Sequence, residues 1–481
     1  MSEAFDIIVI GAGPAGAETA ITASGHGHKV VVIDEQPAAG GQVWRAPVAG
    51  WNGGDDTEAR MGASLRNRLA RSRVDCRFGH RVWSVTRDDG RPISAFRVDS
   101  LGPDGNAALI APTLVVATGA HERVVPFSGW TLPGVIGLAA ATVLLKSHGV
   151  APGQRVVVAG CGPLLAAVTA GLLKAGVTVV AVADLAPRKE WLRHAPAIAS
   201  QPQLAWRGLG WAAKAALSRV RLLSAHGIRR AEGNELVQRV VLGPVDADGK
   251  PAPGLEQTFD VDALIVGHGL TTACEIARLL RAEHRYDRLR GGWVPVVTNG
   301  FETSIPGLYA IGDGAGVRGA AAAVLAGRRV GVDLGSAIGA LQGEDLAAAT
   351  GQIDRDLSKL ARFSDAMASL MAQRSAQVGA IAPDTIVCRC EDVTRAEIDA
   401  AIDAGADEIN QLKHFTRCGM GPCQGRYCGD NVQELMAQKL GVERAAIGQW
   451  TGRPPLRPVP LGALLGEFSY DDIPIPEPAP L

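Results

Sequence analysis

The sequence predicts an α/β protein with two Rossmann-like, doubly wound dinucleotide-binding domains, then a helical linker and a small α-helical cysteine-rich domain. Three observations carry this. The apolar run Phe5–Ile10 ends at Gly11, a small-residue helical pattern follows, and a second apolar run ends at Asp34, which makes a βαβ unit. Residues 154–184 (RVVVAGCGPLLAAVTAGLLKAGVTVVAVAD, preceded by Gln154) repeat strand, glycine turn, helix, strand and acid, so two dinucleotide-type domains are implied. Five of the eight cysteines (Cys388, Cys390, Cys418, Cys423, Cys428) crowd into one short stretch near the C-terminal end.

Composition supports this and narrows the function. The 481 residues suggest roughly three domains. With 47% hydrophobic and 20% charged residues the chain can bury a large core, which excludes wholesale disorder. The 59 glycines and 5% aromatics suit tight βα turns rather than an all-β barrel. Lys+Arg 48 against Asp+Glu 49 gives a net charge of -1, which gives no electrostatic reason to expect nucleic acid or an anionic membrane as partner. Glu3 and Asp6 stand where a signal peptide carries bases, and the uncharged stretches 127–145 and 156–173 are broken by Pro133, Gly134, Gly160, Gly162 and Pro163. The expectation is a cytoplasmic, non-transmembrane protein, with a peripheral position at the inner membrane face left open.

Gly11-Ala12-Gly13-Pro14-Ala15-Gly16 directly follows the first strand and opens the helix. Gly11 permits the tight turn, Gly13 lets backbone approach a pyrophosphate, and Gly16 allows close helix–strand packing, while the helix N-terminus offers N–H groups to phosphate. Asp34 ends the second strand, placed to accept hydrogen bonds from an adenosine ribose. Leu114–Ala120 (LVVATGA) is a strand ending in a small-residue turn, and Thr303–Asp313 (TSIPGLYAIGD) is another with an acid at its tip.

This combination resembles the two-dinucleotide-domain flavoproteins related to glutathione reductase, over about residues 1–345. The resemblance implies FAD at the N-terminal site, with Ala117-Thr118-Gly119 beside it and Gly312-Asp313 as flavin ligands. It adds Glu35, Gly41, Gln42 and Arg45 to the cofactor-binding residues. One departure matters: Gln42 stands where a disulfide reductase of that family places the first cysteine of its redox pair, so the dithiol is missing. At the second turn, Gly160-Cys161-Gly162-Pro163-Leu164-Leu165, Leu165 replaces the third glycine. Gly160, Gly162 and Asp184 remain candidate nucleotide contacts. NAD(P) binding, another adenine nucleotide and a vestigial site all stay open, with flavin reduction by NAD(P)H not expected. His268 reads as a packed or hinge histidine rather than a catalytic one.

Thiolates are soft ligands for iron–sulfur clusters or zinc, and Cys388-Arg389-Cys390 with the distant Cys423 and Cys428 can supply four sulfurs. Spacing alone leaves the metal open. The segment Thr416–Gly425 (TRCGMGPCQG) resembles the [2Fe–2S] domain of the bacterioferritin-associated-ferredoxin type. That resemblance assigns Cys388, Cys390, Cys423 and Cys428 as ligands and leaves Cys418 as a spare thiol that could substitute.

These readings divide the chain into 1–125 (FAD-binding domain, first part), 126–300 (second, NAD-like domain), 301–345 (FAD-binding domain, second part), 346–381 (helical linker), 382–451 ([2Fe–2S] domain) and 452–481 (proline-rich arm). Proline recurs from Pro454 onward, so the arm is expected to be extended and a candidate docking strand. Taken whole, the chain resembles the α (A) subunits of the opine oxidase, D-hydroxyproline dehydrogenase and hydrogen cyanide synthase group. That resemblance implies an electron-transfer subunit of a dye-linked amino-acid or secondary-amine dehydrogenase acting on C–N bonds. Its partners would be a D-amino-acid-oxidase-like FAD subunit (β or B), with a small ferredoxin-like subunit also open, and a quinone or dye acceptor. An FMN at a subunit interface stays an open alternative. Two other readings stand beside it: a stand-alone NAD(P)H-dependent flavin/iron–sulfur oxidoreductase and a non-catalytic scaffold subunit. No triad, paired carboxylates or placed base is visible in the sequence, so catalytic residues are not assigned.

Overall fold

The computed structural model describes residues 3–51, 53–54, 56–88 and 94–464. Most of the expected turn Asp88-Asp89-Gly90-Arg91, and the proline-rich end from residue 465, lie outside them. In the first domain the elements are Ile7–Ile10 (β1), Pro14–Gly25 (α1), Val30–Asp34 (β2), Thr57–Ala70 (α2), Asp75–Phe78 (β3) and Thr113–Val116 (β4). β1 is wholly buried, as expected for branched apolar residues in a parallel sheet covered on both faces. Arg81–Asp88, Ala95–Gly102 and Gly105–Ala111 add an antiparallel layer, the last two joined at the expected Pro103-Asp104-Gly105-Asn106 turn.

Ala120–Glu122 (β5) leads out of this domain. The second domain contains Val135–Gly137 (β6), Arg155–Gly160 (β7), Leu164–Lys174 (α3), Thr178–Asp184 (β8), Arg188–Ala199 (α4), Pro202–Leu217 (α5), Arg221–Ser224 (β9) and Ala263–Gly267 (β10). Its parallel sheet runs β6-β10-β7-β8-β9. Leu270–Thr272 (β11) returns antiparallel to β5, so this strand pair is the crossing between the domains. Leu308–Ala310 (β12) then re-enters the first sheet beside β4, in the order β12-β4-β1-β2-β3.

Ala320–Ala337 (α6) packs closely on α1, because small residues face each other; a Cβ at Gly327 would lie 2.2 Å from the Ala15 carbonyl oxygen. The stretch expected to be helical is a 29-residue helix, Gly343–Met371 (α7). Arg395–Asp403 (α8), Ile409–Thr416 (α9) and Gly429–Leu440 (α10) share one core with Ile398, Leu412, Val432, Leu435 and Trp450. Thr394 and Glu397 form a capping box that fixes the start of α8.

The described part of the proline-rich arm makes contacts the sequence did not announce. It lies back on the first domain: Leu456 is buried in that domain's core and its N–H donates to the Trp83 carbonyl at 2.7 Å. The Pro458 carbonyl accepts from Arg81 and the Ala463 carbonyl from Asn106. Within the described part of the arm, Leu456, Pro458 and Ala463 are thus tied to the first domain, while Leu461 is exposed.

At the crossing, the Glu122 carboxylate is packed against Gly137 and Gly267 and accepts the Ala139 N–H at 3.0 Å. Burial pushes its pKa up to about 7, against the pull of the Ala139 and Leu138 amides. The folded state therefore holds a proton that the unfolded chain releases from about pH 4.5. Stability is present in full below that pH and is lost as pH rises through 7, by up to about 3 kcal/mol. Urea unfolding of wild type and Glu122→Gln at pH 5 and pH 8 measures it, with the change between the two pH values differing between the proteins by about 2–3 kcal/mol.

Candidate functional site

The first glycine turn is built for a dinucleotide. Gly11 has φ +101°, and a Cβ there would lie 2.5 Å from the Ala117 oxygen, so β1 and β4 can close only around glycine. Around Gly13 a Cβ would meet nothing nearer than the Gly41 Cα at 3.8 Å, leaving the open face a pyrophosphate needs. Gly13 caps α1 without a side chain and Pro14 follows, so the first N–H groups of α1 are free for an anion. Ala15 and Gly16 are buried behind the turn.

Asp34 stands at the tip of β2, where Oδ2 accepts the Ala12 N–H at 2.6 Å and Oδ1 the Gln36 N–H at 2.8 Å. Burial raises its pKa, partly offset by those two amides. Arg45 donates to Gln36 at 2.6 Å and Gln42 at 2.9 Å, which closes the rim beside Asp34. Glu35 is exposed and faces Arg81, so the structure does not bring it into this group. On the opposite side the Thr118 hydroxyl donates to the Ala273 carbonyl at 2.5 Å, and a Cβ at Gly314 would lie 3.4 Å from Gly119. Asp313 accepts the Arg318 and Gly319 amides at 2.9 Å each, leading into the uncapped N-terminus of α6. Two free helix N-termini and two strand-tip acids thus converge on one cradle, and the residues fit FAD.

The second turn is closed by the chain itself. A Cβ at Gly162 would lie 2.4 Å from Met371 Cγ, so the last residue of α7 sits on the turn that would cradle a phosphate. Both Asp184 oxygens are in use: Oδ1 accepts the Ala186 N–H at 2.9 Å and Oδ2 the Trp191 indole N–H at 2.8 Å. Burial pushes Asp184 up to about 6. Leu165 is buried between α3 and its sheet. His268 is buried and its Nδ1 accepts the Val125 N–H at 3.0 Å; burial, then Arg123, pulls it down to about 3, so it stays neutral.

The five cysteines converge. The Cys388, Cys418 and Cys428 sulfurs lie within 4.8 Å of one another and all three residues are buried. Cys390 is exposed, Cys423 half-buried, and their thiols adjoin each other. Cys418 Sγ lies 3.8 Å from Cys428 Sγ, and hydrogen bonds from Cys418 and then Cys428 favour the thiolate at Cys388. This donor set fits a thiolate-bound metal or cluster, with Cys418 at its buried end beside Cys388 and Cys428. Gly425, at φ +79°, lets the loop pass Trp450, where a Cβ would meet the indole nitrogen at 2.4 Å.

Buried ion pairs that no local motif announces bring these two centres together. Arg123, four residues past Gly119, donates to Asp430 at 2.5 Å, two residues past Cys428, and Arg444 pairs with Asp430 from the other side. Burial opposes the Asp430 charge, but Arg123 and Arg444 hold its carboxyl below the usual range. Arg426 donates to Glu275 at 2.5 Å, to the Cys423 carbonyl at 2.9 Å and to the Leu456 carbonyl at 2.8 Å. His121 on β5 shares Glu275 at 2.9 Å.

The comparisons with known proteins agree with this layout. Residues 5–328 match the pyridine nucleotide-disulphide oxidoreductase family and residues 382–467 the sarcosine oxidase A3 domain. An opine oxidase subunit of Rhizobium meliloti is 33% identical over 96% of this chain and 88% of its own length. Hydrogen cyanide synthase subunit HcnB of Pseudomonas protegens is 31% identical over 95% of this chain and 96% of its own. The crystal structure of L-proline dehydrogenase from P. horikoshii shares the fold, with TM-score 0.69, 21% identity, and coverage of 97% of this chain and 81% of that one.

If Cys388, Cys390, Cys423 and Cys428 hold a cluster, as the resemblance implies, with Cys418 outside the ligand set, substitution of the five thiols separates them. Cys388→Ser, Cys390→Ser, Cys423→Ser and Cys428→Ser should each strip most of the iron, because three thiolates remain. Cys418→Ser should keep the iron and alter only its EPR line shape or potential, since a hydrogen bond is lost and not a ligand. Iron analysis with EPR of the dithionite-reduced protein decides between these outcomes.

Proposed function

The chain belongs to the pyridine nucleotide-disulphide oxidoreductase family, in the branch that includes the opine oxidase relatives, and on that premise we propose that it is an electron-transfer subunit. In this reading it carries FAD and a [2Fe–2S] cluster within a heteromeric dehydrogenase acting on C–N bonds of amino acids, opines or secondary amines. It takes electrons from a partner flavoprotein subunit of the D-amino-acid-oxidase kind and delivers them to a quinone or dye. The relatives' names support an oxidoreductase subunit of such an assembly.

The observation that carries the proposal is the pair of buried ionic links, Arg123–Asp430 and Arg426–Glu275, joining the cysteine loop to the crossing strand pair, Arg123 just past β5 and Glu275 just past β11. FAD accepts electrons in pairs and a [2Fe–2S] centre passes them singly. Around them the chain's own residues bind and orient. Gly11, Gly13 and the start of α1 take the pyrophosphate, Asp34 the ribose, and Asp313 with α6 the ribityl side. Cys388, Cys390, Cys423 and Cys428 hold the cluster, and Arg426 fixes the loop that carries two of them. Gln42 stands where a dithiol would begin, so no thiol relay interrupts this path.

The closed second cleft supports a subunit fed by a protein rather than by NAD(P)H. Met371 on Gly162 and Trp191 on Asp184 occupy the positions a nicotinamide dinucleotide would need. Anaerobic mixing of the holoprotein with NADH or NADPH should bleach the flavin at negligible rate. Dye reduction with proline, hydroxyproline, glycine or opines should be absent for the chain alone and should arise on co-expression with the partner subunit. Full activity of the lone chain, or fast bleaching by NADPH, would overturn the proposal.

A further inference from the structure

Apart from the two centres, a cavity of about 100 Å3 lies between the second domain and the segment that leads from α7 into the cysteine-rich domain. Phe127, Leu185, Ile228, Val245 and Ile381 supply apolar walls. Val125 and Ile381 line it and belong at the same time to the core of the cysteine-rich domain, so whatever fills the space touches both bodies. The closed nucleotide cleft is a different place: Leu185 follows Asp184, but Gly160, Gly162, Asp184 and Met371 do not line this cavity.

Its charged and ring-nitrogen groups are donors. His268 is 3% exposed and its Nδ1 accepts the Val125 N–H at 3.0 Å, so the neutral ring carries its proton on Nε2. Among the described residues no acceptor meets that N–H. Burial, then Arg123, keep the ring neutral. Arg229 is the cation of the lining; it spends Nη2 on the Pro244 and Ala252 carbonyls at 2.5 and 3.1 Å and sets Nε 3.7 Å from the exposed Glu256. That leaves Nη1 without a hydrogen-bond partner among the described residues. Ser128 and Gln377, which can donate or accept, complete the polar lining, and no described Asp or Glu belongs to it.

A buried N–H without an acceptor costs free energy that the oxygen of a ligand recovers. Two N–H donors, one of them on a cation, with no acid beside them select an anion rather than an amine. Size selects a small one, since a cavity of about 150 Å3 holds benzene and this space takes about six non-hydrogen atoms or fewer. The apolar walls call for a hydrocarbon body, which disfavours phosphate and sulfate. We propose that the cavity binds a short-chain carboxylate, of the propionate or three-carbon 2-oxo-acid kind, with its oxygens facing His268 Nε2 and Arg229 and its carbons on the apolar walls. Neither the flavin cradle nor the cysteines line the cavity, so the inference does not depend on the function proposed above.

The test is isothermal titration calorimetry of the full-length holoprotein with propionate, pyruvate and propionamide, the last being the uncharged isostere of the first. Both carboxylates should bind with a Kd of about 1 mM or below, and propionamide about tenfold more weakly or worse. Each carboxylate should also raise the unfolding temperature as its concentration rises, because it binds the folded chain alone. Arg229→Gln should weaken propionate binding about tenfold or more. Should that variant fold poorly, Ala380→Trp, a change at an exposed lining position, should block entry while leaving flavin content and ligand-free unfolding as in wild type. A cavity filled by water alone gives no binding heat with any of the three probes, and that result would overturn the assignment. So would equal binding of propionate and propionamide, or propionate binding that is unchanged in both variants.

Discussion

The Arg123–Asp430–Arg444 network is the constraint from which the arrangement of the two redox-type centres follows. Three ionised groups are taken out of water here, which is tolerable only because each carboxylate oxygen is matched by a guanidinium. Removing one member would leave an unpaired buried charge, a loss of about 3–5 kcal/mol in comparable settings. Such a joint is stiff: Arg123 follows the crossing strand β5, and Asp430 opens α10 immediately after Cys428. Any rotation of the cysteine-rich domain would pull these partners apart, so the loop and the Ala117-Thr118-Gly119 turn keep a fixed relation. Arg426, with Glu275 and two backbone carbonyls, repeats the device between Cys423 and Cys428 on the same loop.

The two dinucleotide folds share topology and differ in use, and the difference comes from what is packed on the glycine turn. Both have a glycine turn after a buried strand and an acid at the end of the next strand. In the first, the turn faces open space and the acid borders it. In the second, α7 ends on the turn, and the acid is consumed by Trp191 and the Ala186 amide. Fold alone therefore assigns no ligand to the second domain; the side chain of a helix more than two hundred residues downstream decides it.

Much of this was legible in the sequence because the signals are local. The two βαβ units, the Gly312-Asp313 tip and the convergence of the cysteines rest on periodicity, turn chemistry and spacing within short windows. What escaped reading depends on contacts between distant segments. Leu165 suggested a damaged second site, whereas the structure buries it in an ordinary helix–sheet core and gives Met371 as the obstruction. The proline-rich arm read as extended, yet Leu456 anchors its described part in the first domain's core and that part ends in a 3-10 turn at Leu461–Leu464. Cys418 read as a spare, and only the fold shows its thiol beside Cys388 and Cys428. Arg123 and Asp430 belong to no motif, so nothing in their neighbourhoods announced the joint.

Charge shows the same limit from another side. A sum near zero excludes a field over the whole molecule, but it says nothing about a segment in which every carboxylate is absent. Here several acids meet arginines in the interior or across domains, as Glu18, Glu190, Glu275 and Asp430 do. Cations between residues 191 and 231 lack that compensation, apart from those paired with acids at the edges of the stretch and in other domains, such as Arg207 with Glu58. A scaffold whose nucleotide cleft is filled keeps its fold through the parallel sheet, while α4 packs on α7 through Trp191, Ala197 and Ile198 and α5 buries only Ala215.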